Sequence, residues 1–395
     1  MKWASAISIS SNLEYSIEEC VESIKSQLGS APVDFAIIFI SPHFSDRYSD
    51  LPGLILEGLP SSHLIGCSGG GIIGGGKEIE HAPALSITAA SLPGVRVEMF
   101  YKTQASMPKL DTTPKVWEEW IGVKKELNPQ FVILADPQTL HADHLLMGMD
   151  YAYPQSVKIG GLVSGYGVGG TNVLFLNKNV YHEGVCGTAF SGNIILDTIV
   201  AQGCRPIGEV FQVTKCDRNM LIEVNHRPVV DYLRDLNNTL SPEDQQLLQR
   251  SLFIGIVMDP LKTSFSQGDF LIRNIMGLDA KKETLVVGAL LREGQTLQFH
   301  LRDSETSADD LEDLISNYIA KGHPEKLKGA LLFSCLGRGE HLYGISDHDT
   351  KLFQQNLGSI PVGGFFCNGE IGPVGSTTFL HGYTSSFGLF RTLTP

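Results

Sequence analysis

The chain lacks any CxxC pair. Its seven cysteines, at 20, 67, 186, 204, 216, 335 and 367, are scattered and odd in number, a pattern that suits reduced thiols in a cytosol better than a disulfide scaffold. Basic runs are also absent. No stretch of Lys and Arg exceeds a pair, and 30 basic against 43 acidic residues leave a net charge of −13, which argues against nucleic acid or an anionic lipid surface as partner. Apolar runs stay short: LLMGMDYAY ends well before the roughly 18 residues that a membrane span requires. The opening MKWASAISISSNLEYSIEEC has neither the apolar stretch nor the small-residue cleavage site of an export leader. A cytoplasmic protein without membrane attachment is expected. The 18% of charged residues is modest beside 42% hydrophobic residues, enough to fill a large core, so a disordered chain is excluded.

Glycine is what the chain has in plenty, 42 of 395 residues, against an average usage of about 7%. Much of it falls in a pattern that occurs three times. An apolar strand opens each unit: Val33 to Ile40, Pro129 to Asp136 and Gly329 to Cys335. A polar loop follows, then an amphipathic helix in SDLPGLILEGL, HADHLLMGMDYA and SDHDTKLFQQNL, where Ser346 and Asp349 of the third form a capping-box variant. A second strand runs into a glycine knot: HLIGCSGGGIIGGG, VKIGGLVSGYGVGG and IPVGGFFCNGEIGPVG. Strand to knot spans nearly the same length each time, from Phe35 to Gly66, Phe131 to Gly160 and Leu332 to Gly363. Apolar alternation after each knot predicts a β-hairpin. The expected unit is β-α-β-hairpin, about 65 residues long, and its natural burial solution is a mixed sheet covered by helices.

A different stretch separates the second and third units. It reads as a β-hairpin and helix over Gly208 to Leu236, a polar helix in SPEDQQLLQRSL, a strand in FIGIVMD, a β-meander over Phe270 to Asp303 and the amphipathic helix SADDLEDLISNYIAKG. The fold class expected is mixed α/β (α+β) in two packed halves, 1–205 and 206–395.

Knots after buried strands let backbone N–H groups face a small ligand, because glycine accepts positive φ and has no Cβ in the way. They equally serve as tight turns between packed strands. One knot holds GxGxxG at Gly165, Gly167 and Gly170, yet the strand-like TNVLFLNKN stands where a dinucleotide site needs a helix, and no GK[ST] completes a P-loop. The third knot carries the richest polar set: Cys367, Asn368 and Glu370, with Cys335 and Arg338 from SCLGRG close by if the unit closes. Glu370 can bind an amine, Asn368 can donate and accept, and Arg338 can take a carboxylate, which together fit an amino acid; Glu370 and Arg338 can instead pair with each other.

Other chemistries find weaker support. A thiol hydrolase would use Cys335 or Cys367 with His341, His348 or His381, but no local nucleophile motif accompanies them, and Ser164 in LVSGYG lacks the first glycine of GxSxG. His141 and His144 lie at i, i+3 without a third zinc ligand in reach by sequence, so no metal is expected. His81, His182, His300 and His381 lie beside or within predicted strands, where one can ligate haem or simply be a hydrogen-bonded core residue. Arg273 and Arg302 stand at strand ends, available to a ligand cleft between the halves or to internal ion pairs.

These residues resemble a known family. LIGCSGGGIIGGG resembles the N-terminal FIST domain, and FLIRNIMGLD, VGALLREGQTLQFHLRDSETSADDLEDL, SCLGRGEHLYG and VGGFFCNGEIGPVG with FLHGYTSSFGLF resemble the C-terminal FIST domain, roughly from Ala31 to Phe390. The resemblance implies a sensory module of F-box and intracellular signal transduction proteins that binds small ligands such as amino acids; in some bacterial members it implies haem binding and nitric oxide sensing. It points to Cys67, Ser68, Gly69, Gly70, Gly71, Arg273, Arg302, Arg338, Cys367, Asn368 and Glu370 as motif positions. No kinase, cyclase, methyl-accepting or F-box segment accompanies these motifs. The expectation is a non-enzymatic ligand-binding protein signalling through a separate partner, with haem sensing or a substrate-recognition scaffold as alternatives.

Overall fold

The computed structural model describes residues 1–165, 172–279, 282–322 and 326–393. Gly167 and Gly170 of the GxGxxG lie outside the described residues. The chain divides into two compact units. The first takes Met1–Val200 and Glu312–Pro395, and the second Ala201–Leu311.

The first unit is built from three repeats. The first contains β1 (Lys2–Ser8), α1 (Leu13–Leu28), β2 (Phe35–Ile40), α2 (Leu51–Gly58), β3 (Leu64–Ser68), the hairpin β4 (Ile72–Gly74) and β5 (Lys77–Ile79), and β6 (Leu85–Ser91). The second contains β7 (Val95–Lys102), α3 (Pro114–Ile121), β8 (Gln130–Ala135), α4 (Ala142–Ala152), β9 (Lys158–Leu162), the hairpin β10 (Leu174–Leu176) and β11 (Asn179–Tyr181), and β12 (Val185–Gly192). The third begins with β13 (Ile195–Ala201).

The chain then enters the second unit with β14 (Arg205–Asp217), β15 (Met220–Val224), β16 (Arg227–Pro228), α5 (Val229–Thr239), α6 (Pro242–Ser251), β17 (Leu252–Val257), β18 (Phe270–Asp279), β19 (Thr284–Val287) and β20 (Thr296–Leu301). Through α7 (Ser304–Ala320) it returns to complete the third repeat: β21 (Leu327–Cys335), α8 (Glu340–Tyr343), α9 (His348–Leu357), β22 (Val362–Cys367), the hairpin β23 (Glu370–Val374) and β24 (Thr377–His381), and β25 (Ser385–Arg391).

Three sheets of six strands follow one rule. Their orders are β1-β6-β2-β3-β10-β11, β7-β12-β8-β9-β23-β24 and β13-β25-β21-β22-β4-β5. Each repeat supplies an edge strand, a returning strand and a parallel central pair, and then gives its hairpin to another repeat's sheet. The donation is cyclic, one to three, three to two and two to one. Central strands such as FAIIFI are buried at every residue, as parallel strands covered on both faces must be.

The pairs β2 and β3, β8 and β9, and β21 and β22 place Gly66, Gly160 and Gly364 opposite Ile38, Ile133 and Leu332. A Cβ at those glycines would sit 2.2, 1.8 and 1.8 Å from the facing carbonyl oxygen, so no side chain is admissible there. Gly66 and Gly160, which mark the repeat in sequence, and Gly364, next to the Gly363 marked there, therefore set the strand spacing.

The inner faces of the three sheets pack on one another in a core that includes Trp3, Phe35, Phe39, Phe190, Phe333, Phe365 and Phe390. Phe39 stacks on Phe365 at 5.0 Å and Trp3 on Phe390 at 4.5 Å. The helices cover outer faces: Ile17, Val21, Ile24 and Ile55 close the first sheet, and Trp117, Leu145 and Met149 the second.

Several expectations change. The unit is longer than about 65 residues, because each repeat starts one strand and one helix earlier than read. The half-exposed edge strand β7 carries too little apolar signal to announce a new repeat. The hairpin after each knot leaves its own sheet, and the apolar run beyond it returns. The Ser346 and Asp349 capping box is absent: Asp347 occupies the N-cap with φ +61 and no side-chain cap bond, while Asp349 turns inward. Nor does a β-meander end the second unit, since β20 pairs with β14 and β17. There β14-β20-β17-β18-β19-β15 closes through β14 pairing β15, a small antiparallel barrel filled by Phe211, Ile254, Leu297 and Phe299. The boundary expected at 205/206 lies near the entry into this barrel, but residues beyond 311 belong with the first unit.

Candidate functional site

The glycine knots meet. Gly70 N–H donates to Ser164 Oγ at 2.8 Å, the Ser164 hydroxyl donates to Phe366 O, and Phe366 N–H donates to Gly71 O at 2.9 Å. The linkage is cyclic like the sheets: Ser68 N–H reaches Val173 O at 3.1 Å, and Leu162 N–H reaches Gly369 O at 2.8 Å. The described residues of each turn lie at the carboxyl end of a parallel pair, where open α/β sheets take their ligands. Several of their amides are already engaged by neighbouring main chain, Gly69 N–H by Ile40 O at 3.0 Å and Asn368 N–H by Leu162 O at 3.0 Å.

The motif residues separate by environment. Cys67 and Ser68 are fully buried, and Ser68 Oγ accepts from Val173 N–H at 3.2 Å. Gly69 and Gly70 sit where a Cβ would meet Phe365 at 2.9 Å and Leu336 at 2.7 Å. Cys335 ends β21 partly exposed, in register with the fully buried Cys367 on β22. Burial, with Glu370 and two further thiols nearby, pushes the Cys367 thiol well up, which makes it a poor nucleophile. Asn368 is exposed at the rim, and Glu370 is buried and accepts Thr384 N–H at 3.1 Å. Arg273 and Arg302 belong to the barrel unit, half-buried on β18 and buried just after β20 respectively.

Arg338 is fully buried, and its guanidinium grips Asp349: Nε at 2.9 Å from Oδ2 and Nη2 at 3.3 Å from Oδ1. This occupied fork overturns the expectation that Arg338 takes a ligand carboxylate bidentately. Ser385 Oγ also donates to Asp349 Oδ2, and His348 Nδ1 lies 3.0 Å from Oδ1. Burial raises the Asp349 pKa, but Arg338 and the bonds from His348 and Ser385 outweigh it and hold this carboxyl well below the usual range. The Tyr343 hydroxyl accepts from Arg338, and its ring stacks on His348 at 3.5 Å, 11° from parallel.

Beside this group, Glu78 comes from the hairpin donated by the first repeat. Its carboxylate accepts Thr350 N–H at 2.7 Å, capping α9 from a distant part of the chain. Burial first, and the Asp349 charge second, push Glu78 up to about 8. Sequence reading missed Ser385, Tyr343 and Glu78 and gave Asp349 a capping role: Glu78 and Ser385 reach the cluster from 272 and 36 residues away, while Tyr343 and Asp349 are brought onto the nearby Arg338 by the turn between them. The one available signal was the Asp349 carboxyl beside an Arg-bearing glycine turn.

Among the described residues, no three His, Cys, Asp or Glu side chains gather to hold a metal, and no helix is long and apolar enough to cross a membrane. Two of the histidines considered for haem each bond a main-chain carbonyl: His300 Nδ1 lies 3.1 Å from Gln298 O and His381 Nε2 3.0 Å from Gly372 O. Burial also lowers the His300 pKa to about 4.

Three repeats with exchanged hairpins, interrupted by a small barrel, define an α/β protein whose turns gather at one end. The chain belongs to the FIST family: residues 34–227 match the FIST N domain and residues 230–373 the FIST C domain. FIST domains are signal-transduction sensory domains. The two matched segments meet inside the barrel unit, so the sequence domains and the compact units divide the chain differently. An uncharacterized protein of Mycobacterium tuberculosis is 31% identical over 390 residues, covering 99% of this chain and 100% of the relative. One from Mycobacterium bovis is 32% identical over 372 residues, 94% of each chain. An F-box/LRR-repeat protein of Arabidopsis thaliana is 29% identical over 121 residues, 27% of this chain and 23% of that protein.

Proposed function

We propose that this protein is a non-enzymatic sensor that binds an amino acid or similar small polar metabolite where its glycine turns meet, and passes the signal to a separate protein. The observation that carries the reading is the gathering of three turns at the carboxyl ends of three parallel strand pairs, with Asn368 exposed and Cys335 partly exposed on the rim. Polar groups crowded at strand ends, with an exposed amide side chain beside them, suit a small polar guest. The raised Cys367 thiol argues against thiol hydrolysis. A cytoplasmic setting accords with the free cysteines and with the net charge of −13.

Native-state binding raises thermal stability, so the test is a melting-temperature screen of the purified protein against the L-amino acids and related metabolites. At least one is expected to raise the midpoint by several degrees, and Asn368→Ala is expected to abolish the shift while melting like the parent. A screen in which nothing stabilises the protein rejects the reading. Expression with haem supplied is expected to give no Soret band; a band shifting with nitric oxide would replace the proposal with the gas-sensing alternative.

A further inference from the structure

His348 is held on two sides and left open on a third. Its ring lies flat on Tyr343, 3.5 Å between centroids and 11° between planes, which removes rotation about the side chain as a freedom. Its Nδ1 lies 3.0 Å from Asp349 Oδ1. That carboxylate is fully engaged from behind, by Arg338 through two nitrogens and by the Ser385 hydroxyl, so it is ionised and can only accept. Nδ1 must therefore carry the proton. In the neutral ring the other nitrogen, Nε2, is then a bare acceptor in a fixed direction.

No partner for Nε2 exists among the described residues, and the side chain keeps 17% of its exposure. The other four members of the cluster answer one another: Arg338 with Asp349 and Tyr343, and Ser385 with Asp349. Holding a histidine in one tautomer takes a buried ion pair, and buried ion pairs are poor investments in stability alone. Arg338 also joins this cluster to the rim, because its N–H bonds Cys335 O at 2.9 Å within the same turn.

We infer that His348 Nε2 is the polar anchor of the ligand site and that it selects a ligand presenting a free amino group, as an amino acid does. The inference rests on the sensor reading above and narrows its ligand class. Nε2 accepts the donor's proton in a hydrogen bond, while Asp349 and Arg338 fix the ring without touching the ligand; these two are positioning residues. An acylated nitrogen is uncharged and offers a single N–H, so it is not the donor that this anchor selects.

The test uses full-length protein labelled with 15N-histidine at about pH 8, where an unperturbed imidazole is neutral. Two panels of probes are compared, the free L-amino acids and their N-acetyl forms. His348 is expected to show an unprotonated Nε2 resonance in the free protein, one that moves with a free amino acid and stays still with its acetylated form. His348→Leu is expected to weaken that amino acid about tenfold or more, and His348→Gln, whose amide oxygen still accepts, to recover part of the loss.

A free protein with the proton on Nε2 overturns the inference. So does an amino acid that stabilises parent and His348→Leu equally without moving the resonance; in that case the sensor reading survives alone. Should neither panel bind, the sensor reading falls and this anchor with it.

Discussion

At the carboxyl end of the first central strand, repeat one places Ser41 and repeat three places Cys335. Their N–H groups make equivalent bonds, to Ala84 O at 2.9 Å and Thr384 O at 3.0 Å, and Asp136 of the second repeat matches them with Gly184 O at 2.9 Å. The side chains beyond diverge. Ser41 Oγ accepts Ala84 N–H, a neutral contact of the turn itself. Asp136 accepts from Thr139 at 2.6 Å and Asn172 at 2.8 Å. Past Cys335 comes the charged cluster of Arg338, Asp349, His348 and Tyr343. Backbone symmetry and chemical asymmetry are thus separable: glycines with no room for a Cβ preserve the first, and each turn is free to carry its own polar groups.

The largest break in this comparison should come from a change that every repeat forbids equally. Gly364→Ala puts a methyl 1.8 Å from Leu332 O, and main chain cannot swing aside as a side chain does. Expression of this variant is expected to give no folded protein, read by loss of the cooperative melt and of near-ultraviolet dichroism. A normal melt would remove the claim that these glycines set the strand spacing.

Next in size is the charged cluster. Asp349→Ala strands the buried Arg338 without its counter-charge and should cost about 3–5 kcal/mol in urea denaturation. Asp136→Ala in the second repeat removes an acceptor from neutral donors and should cost about 1–3 kcal/mol. Equal losses would erase the distinction drawn between the two turns.

Glu78 sharpens the contrast through pH. Its carboxyl rises from 4.5 in the unfolded chain to about 8 in the fold, facing Asp349 and Asp347, with Arg338 behind Asp349. A raised carboxyl keeps its proton in the folded state while the unfolded chain releases it. Its stabilising contribution is therefore complete below pH 4.5 and is lost as pH climbs through 8. Glu78→Gln keeps an acceptor for Thr350 and removes the charge. The variant is expected to melt like the parent near the lower bound and above it near pH 9, with a flatter dependence between; parallel curves would sink the assignment. The smallest effect belongs to an exposed pair. Arg96→Ala breaks a bridge to Glu98 at 2.7 Å on the edge strand β7, where Arg96 is 62% exposed, and the unfolding free energy from urea denaturation should change by no more than about 0.5 kcal/mol.

How far these features can be read from sequence differs along the chain. The strands β2, β8 and β21 announce themselves as apolar runs, and the glycines within β3, β9 and β22 recur at nearly constant spacing. The family relation is carried by those same runs. The edge strands stay hidden, since β7 is half-exposed and only pairing with β12 makes it a strand of the second sheet. Asp349 reads as a helix cap because an acid near a helix start has that role in most chains; here the N-cap falls to Asp347 and the acid serves Arg338 instead. Cys335, Arg338, Cys367 and Glu370 do lie close around one turn, yet the carboxylate that answers Arg338 is one no spacing rule would choose.

The amino-acid sequence by itself determined which segments are central strands and where they turn, for the physical reason that burial on both faces demands unbroken apolar residues and that crowded carbonyls admit only glycine. Only the tertiary structure decided which hairpin joins which sheet and which acid meets which base. The Glu78 to Thr350 bond joins residues 272 apart, and contacts of that separation exist only once three repeats have closed on a shared core.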